Sequence, residues 1–324
     1  MTIALVRVMP KSELAKHART ASRDAQRSRA DSTLRAYEGA WARFDMWCKE
    51  TGQESMPASP ETVSTYLSFL CPEDGPTHKI STMELALVAI SQRHELARRP
   101  NPRKDPMVSS TRKGIRRRVG VAQRCVHALV TDSIRRIVHG MGNDLADVRD
   151  VAILLVGFVG ALRRSEIVAL RMEDCLIDER GVTITIRRSK TDQEGAGRVV
   201  SLPRSKDTLA CPARALARWI EESKINKGHV FRRILRKECK RRIGEKLAGG
   251  SVALIVQRHV VKAGLMRTDY SGHSLRAGFV TSAAAAGRVR EEIKRQTGHK
   301  NDQVLDRYIR FATRWERNAA DGLL

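Results

Sequence analysis

The sequence predicts a mainly α-helical protein with a small antiparallel sheet, divided into an all-helical N-terminal domain and a mixed α+β C-terminal domain. Three observations predict it. Apolar residues recur at three and four over most of the chain, the mark of amphipathic helices. The period shifts to two only in GVTITIRRSK and GRVVSLP, residues 181–190 and 197–203. With 324 residues, the chain has enough material for two separate cores.

Residues 1–28 are basic but lack sustained apolar periodicity, and are expected to form a flexible arm. Residues 29–122 read as a helical bundle. Asp31 or Ser32 is placed to cap a helix with Leu34, Tyr37, Trp41, Phe44 and Cys48 on one face, ending at Gly52. Aromatics beside Arg35 and Arg43 invite a base-stacking reading, but a stripe at helical spacing favours core. Ser59-Pro60-Glu61 opens the next helix, with proline at its first position. A third runs from about Thr77 to Arg98, and a fourth carries Arg112, Lys113, Arg116, Arg117 and Arg118. A linker falls near Gly120 to His127, and residues 123–324 form the second domain.

That domain starts with a helix at Thr131 or Asp132. VAILLVGFVGAL, residues 151–162, follows; it is apolar on every side and too short to cross a bilayer, so it is expected to be the buried centre. It leads directly into Arg163, Arg164, Ser165 and Glu166. The two alternating segments pair as antiparallel strands around a loop at residues 191–197, with Lys190 at the end of the first strand. Residues 212–224 are helical, 231–246 are intensely basic, and 251–265 form a helix offering Gln257, Arg258 and Lys262 to a DNA groove. Finally, helices are expected from Ser271 to Gly287, from Val289 to Gln296 with Gly298 as left-handed cap, and from Asn301 or Asp302 through Tyr308. The first of these places His273 and Arg276 on one face.

Composition narrows the partner. Lys and Arg number 60 against 36 Asp and Glu, a net charge of +24 spread over both halves. Such an excess favours a polyanion, because each neutralised phosphate releases counterions. Contact on two sides, a clamp, suits this distribution better than one basic tail. No apolar run reaches 18 residues, so a soluble, cytoplasmic protein without membrane association is expected. Cys48, Cys71, Cys125, Cys175, Cys211 and Cys239 are scattered without a C-x-x-C pair, which argues against a zinc site or a disulfide framework. There is no Walker loop and no carboxylate cluster, and neither a metal nor a cofactor is expected.

Arg163 follows the most apolar helix and needs an acceptor there. Taken alone, its pairing with Glu166 is as consistent with a structural ion pair as with a guanidinium aimed at a bound phosphate. Four stretches read together decide more: Gly160-Ala-Leu-Arg163-Arg-Ser-Glu166, Lys190 at a hairpin, His273-Ser-Leu-Arg276, and Gly298-His299 with Tyr308 nine residues on. In order, spacing and intervening elements this set resembles the tyrosine recombinases, the phage integrase family. The match is specific from residue 150 onward and looks most like the Cre-like branch.

The resemblance implies a C-shaped clamp on double-stranded DNA and conservative site-specific recombination through a 3′-phosphotyrosine. It implies Tyr308 as nucleophile, with Arg163, Arg276, His273 and His299 around the phosphate. Lys190 would be the general acid, and Glu166 would orient Arg163. Arg112, Lys113 and Arg116, with the three polar residues of the 251–265 helix, are the DNA-contact candidates. A homotetramer on two inverted-repeat sites is implied, with the C-terminal segment packing in trans. So is a nucleoid-associated protein of bacterial, plasmid or phage origin. Two other readings remain: a type IB-like DNA relaxing enzyme with the same chemistry, and a non-catalytic DNA-binding regulator.

Overall fold

A computed structural model describes residues 30–75, 77–121, 126–189, 195–237, 240–299 and 301–313, with isolated positions at 13, 16, 17, 19, 20, 192 and 320. The chain divides into two compact units between Arg124 and Cys125. The expected arm, residues 1–28, lies almost wholly outside the described residues, as does most of the C-terminal segment beyond Thr313.

From residue 30 onward, the described residues of the first unit form the helices α1 (Asp31–Glu50), α2 (Pro60–Leu70), α3 (Ile80–Leu96) and α4 (Pro106–Val119). Ser59 caps α2 by accepting from the Thr62 amide at 3.1 Å, with Pro60 at the first position. At α1 the cap differs from expectation: Ala30 occupies it and supplies no side-chain bond. The aromatic stripe is core, as its period required. Phe44, Trp47 and Tyr66 are buried, with Phe44–Tyr66 and Trp47–Tyr66 ring centroids 5.0 and 5.1 Å apart. Buried His94 accepts from the Ala58 amide at Nε2 (2.9 Å) and faces the Ile90 carbonyl at Nδ1 (2.8 Å), an arrangement that suits the neutral ring with its proton on Nδ1.

The second unit contains α5 (Thr131–His139), α6 (Leu145–Val159), α7 (Arg164–Ala169), α8 (Pro212–Ser223), α9 (Gly249–Lys262), α10 (Ser274–Ala285), α11 (Arg290–Thr297) and α12 (Asp302–Thr313). A three-stranded antiparallel sheet of β1 (Cys175–Ile177), β2 (Gly181–Ile186) and β3 (Arg198–Pro203) has the order β1-β2-β3. In β2, Val182, Ile184 and Ile186 point inward, and Ile186 stands opposite Arg198. Helix α6 is the centre of the core: Ala152, Ile153, Leu154 and Val156 are fully buried. Gly278 on α10 lets the backbone of Leu129 approach so closely that a Cβ would sit 2.0 Å from its carbonyl oxygen. The Leu129 amide bonds the Ser274 carbonyl there, which fixes the segment entering α5 against α10.

Strands β1, β4 (Arg232–Lys237) and β5 (Lys240–Lys246) escaped the sequence. Strand β1 is only three residues long, below the length at which alternation registers. The basic stretch forms a hairpin, β4 with β5. Its apolar pair, Ile234 opposite Ile243, packs on the core, too few residues among so many cations to reveal a period of two.

Candidate active site

Helix α6 stops at Gly160, and the chain turns through Ala161, whose φ of +48° is left-handed, before Arg163 emerges extended as the N-cap of α7. A non-glycine residue held in that region costs about 1–3 kcal/mol and persists where surroundings determine it. Here the turn aims the Ala161 carbonyl at Arg276, whose Nη1 donates to it at 2.6 Å. Arg163 thus starts a new helix rather than extending the apolar one.

Glu166, fully buried, takes two cations. Its Oε1 accepts from Arg163 Nη1 at 2.7 Å. Its Oε2 accepts from the Arg163 backbone amide at 2.9 Å and from Arg198 Nη2 at 3.2 Å. The sequence paired Glu166 with Arg163 but missed Arg198. A signal was available: Arg198 is in phase with buried Val200 and Leu202, an arginine at an inward strand position.

Arg276 is buried on the first turn of α10, and its Nη2 has no partner among the described residues. His273 is the N-cap residue of that helix rather than lying within it. Its Nε2 is 3.1 Å from the Tyr308 hydroxyl. Tyr308 reaches it because α12 docks Leu305, Tyr308, Ile309 and Ala312, spaced at three and four, on α10 and α11. Lys294 pairs with Asp302 at 2.8 Å, and Arg290 with Asp306, joining α11 to α12. Gly298 caps α11 at φ +65°, and His299 follows with Nδ1 2.8 Å from the Thr297 hydroxyl.

These groups share one electrostatic environment. Burial, reinforced by Arg163, pushes Arg276 down to about 9, which leaves it charged at neutral pH. Burial and then Arg276 and Arg163 lower His273, and they push His299 to about 3. Water reaches His273, yet the surrounding cations still disfavour its protonation. Both shifts favour the neutral imidazole, and a bound anion would offset the part of the cause that comes from the arginines.

A stability prediction follows for His299. Between its ordinary value of 6.5 and about 3, the unfolded chain binds a proton that the native ring refuses, so native stability falls as pH drops through that window. The thermal midpoint of the free protein should show a steeper decline there than that of His299→Gln. Equal slopes would refute the assignment.

Lys190 lies outside the described residues. Two residues on in sequence, the Asp192 carboxylate accepts from the Ala196 and Gly197 amides at 3.1 and 2.8 Å. Gln257, Arg258 and Lys262 are not brought to this cluster. They lie on α9 along an open groove of about 680 Å³, with Arg149, Arg233 and Arg267 also lining it. Arg258 pairs with buried Asp150, which also accepts from Arg149 and from His259. Burial alone would raise the Asp150 carboxyl, but the His259 bond and the two arginines outweigh it and hold it low. In the first unit, Arg112 and Arg116 are both bound to Glu84, at 2.8 and 2.9 Å, while Lys113 is exposed. No cluster of metal-ligating side chains occurs among the described residues.

A helical unit joined to a helix-rich unit, with arginines and imidazoles gathered about a tyrosine hydroxyl, is the architecture of an enzyme that handles phosphodiesters. Comparison with known proteins agrees. Residues 127–314 match the model of the phage integrase family. An integrase/recombinase XerD homologue of Selenomonas ruminantium is 37% identical over 303 residues, covering 92% of this chain and 87% of its own. The recombinase Cre of Escherichia phage P1 is 26% identical over 290 residues, covering 84% and 80%. Among solved structures, XerH recombinase in a pre-cleavage complex with difH substrate has a TM-score of 0.60 at 16% identity. That match covers 98% of this chain and 86% of the other, a likeness of fold. The chain belongs to the phage integrase family, and it is a site-specific DNA recombinase of the tyrosine type. Its reaction passes through a covalent tyrosine intermediate.

Proposed function

We propose that Tyr308 is the nucleophile, and that Arg163, Arg276, His273, His299 and Lys190 are the groups that serve it. The observation that carries this is Arg276: one guanidinium nitrogen is spent on the Ala161 carbonyl, while buried Nη2 has no partner among the described residues. A donor left this way is costly unless a ligand supplies the acceptor. A non-bridging phosphate oxygen is that acceptor. The Tyr308 oxygen attacks the scissile phosphorus and its proton passes to neutral His273 Nε2, 3.1 Å away. The bond from phosphorus to the 5′ oxygen breaks, and Lys190 protonates that oxygen. Arg163, Arg276 and His299 hold the charge that accumulates on the phosphoryl oxygens. The 3′-phosphotyrosine retains the linkage energy, so the reverse attack by a 5′-hydroxyl reseals DNA without a nucleotide cofactor.

The outer face of α9 is the proposed base-reading surface. Exposed Leu254, Val261, Arg258 and Lys262 share it with half-buried Gln257, at spacings of three and four. The Gln257 amide donates to the Tyr270 carbonyl at 3.1 Å, which orients it. Arg258, held by Asp150, and Lys262 suit phosphate and guanine contact, and the two aliphatic side chains suit thymine methyls. Arg112, Lys113 and Arg116 supply backbone contacts from the helical domain, residues 29–122, with Lys113 the most available. The domain scheme of a basic arm at 1–28 and a catalytic domain at 123–324, closing as a clamp on DNA, belongs to the same proposal. So do the nucleoid setting and the inverted-repeat site.

A homotetramer on two DNA sites completes the reading, with the segment after α12 packing on a neighbouring copy in a ring-closing contact. Deleting residues 314–324 should leave binding to one duplex intact and impair the pairing of two, as read by native gel shift and by exchange between labelled duplexes. Unaltered exchange would refute the trans contact.

A further inference from the structure

Among the described residues, the cluster contains a half-buried cation, Arg198, that the recombination chemistry just described does not use. Arg198 opens β3, the strand paired with β2, and its side chain is 18% exposed. Nη1 donates to the Gln296 carbonyl in the last turn of α11 at 2.6 Å, and Nη2 donates to Glu166 at 3.2 Å. Its stem lies against Gly298, where an added Cβ would stand 2.9 Å from Nε and 3.0 Å from Cδ. Nε is buried and without a partner among the described residues. Both terminal nitrogens are thus occupied by protein, and the remaining one is closed off by the glycine cap. This geometry is a strut, not a ligand for phosphate.

What the strut joins is informative. Glu166 also fixes Arg163 through its side chain and its backbone amide. Gln296 and Gly298 flank Thr297 immediately before His299, and the Gln296 side chain adds bonds to the Val159 and Ser201 carbonyls at 2.8 and 3.1 Å. We propose that Arg198 is a positioning residue for strand cleavage, aiming Arg163 through Glu166 and setting His299 through the end of α11. This rests on the reading of Arg163 and His299 as phosphate-holding groups. A planar fork is needed, because one ammonium cannot span a carboxylate and a carbonyl while lying flat on a glycine.

The test uses full-length protein and a nicked duplex carrying a site selected from random sequence by binding. One version has the ordinary scissile phosphodiester and one a neutral methylphosphonate in its place. Arg198→Lys should slow single-turnover adduct formation about 100-fold, the scale of a misplaced reacting group, with DNA affinity and thermal midpoint retained. The loss should shrink on the methylphosphonate, which presents less charge for Arg163 to neutralise. Glu166→Gln keeps the side chain's shape and probes the same link from its other end. The double variant should lose much less than the product of the single losses. An unchanged rate, an equal loss on both substrates, or additive losses would each overturn the proposal. Failure of the wild type to form any adduct would instead overturn the reading of the site on which the proposal rests.

Discussion

Tyr308→Phe should abolish the covalent protein–DNA adduct while leaving DNA affinity unchanged. The ring of Tyr308 packs with Leu305 and Ile309 against α10 and α11, and phenylalanine preserves that packing. What it removes is the oxygen 3.1 Å from His273. No other group takes its place, because covalent catalysis requires a nucleophile aligned behind the phosphorus. The measurement is denaturing electrophoresis after incubation with a nicked suicide duplex, where release of a short fragment prevents resealing. An adduct that persists in the variant would mean that another residue attacks, and the chemistry proposed for the site would fail.

Arg276→Lys should lower single-turnover cleavage about 10²–10³-fold, the usual effect of losing one preorganised donor to a developing oxyanion. Arginine serves two acceptors here, the Ala161 carbonyl and, by proposal, a phosphate oxygen. Lysine keeps the charge but lacks the fork, so satisfying the buried carbonyl leaves little for the phosphate. Single-duplex binding should change far less than cleavage, since Arg276 is one of 60 Lys and Arg residues in a chain of net charge +24. A cleavage rate equal to wild type would show that Arg276 is a core strut and that the transition state is held elsewhere.

Both predictions concern residues that the sequence offered as candidates. Tyr308, His273, Arg276 and His299 stand among four short stretches whose order and spacing resemble one family, a likeness that needs no knowledge of the fold. Arg198 was not singled out, because its meaning comes from residues 32 and 98 positions away, Glu166 and the Gln296 carbonyl. The basic hairpin was missed for a related reason: only one cross-strand isoleucine pair carries its packing. Arg112 and Arg116 stand out in the sequence as a charge run, and their shared pairing with Glu84, on a different helix, could not be read from their spacing.

By itself the sequence determined the helical class, the position of the sheet and the buried central helix. These follow from periodicity, capping and charge, which act over a few residues. Tertiary structure alone decided that one carboxylate restrains two arginines, that a strained alanine turn presents its carbonyl to a third, and that α12 brings a phenol to the imidazole at the mouth of α10. Such decisions require segments remote in sequence to meet in a site of low dielectric, where each unpaired donor and each buried charge must find a partner.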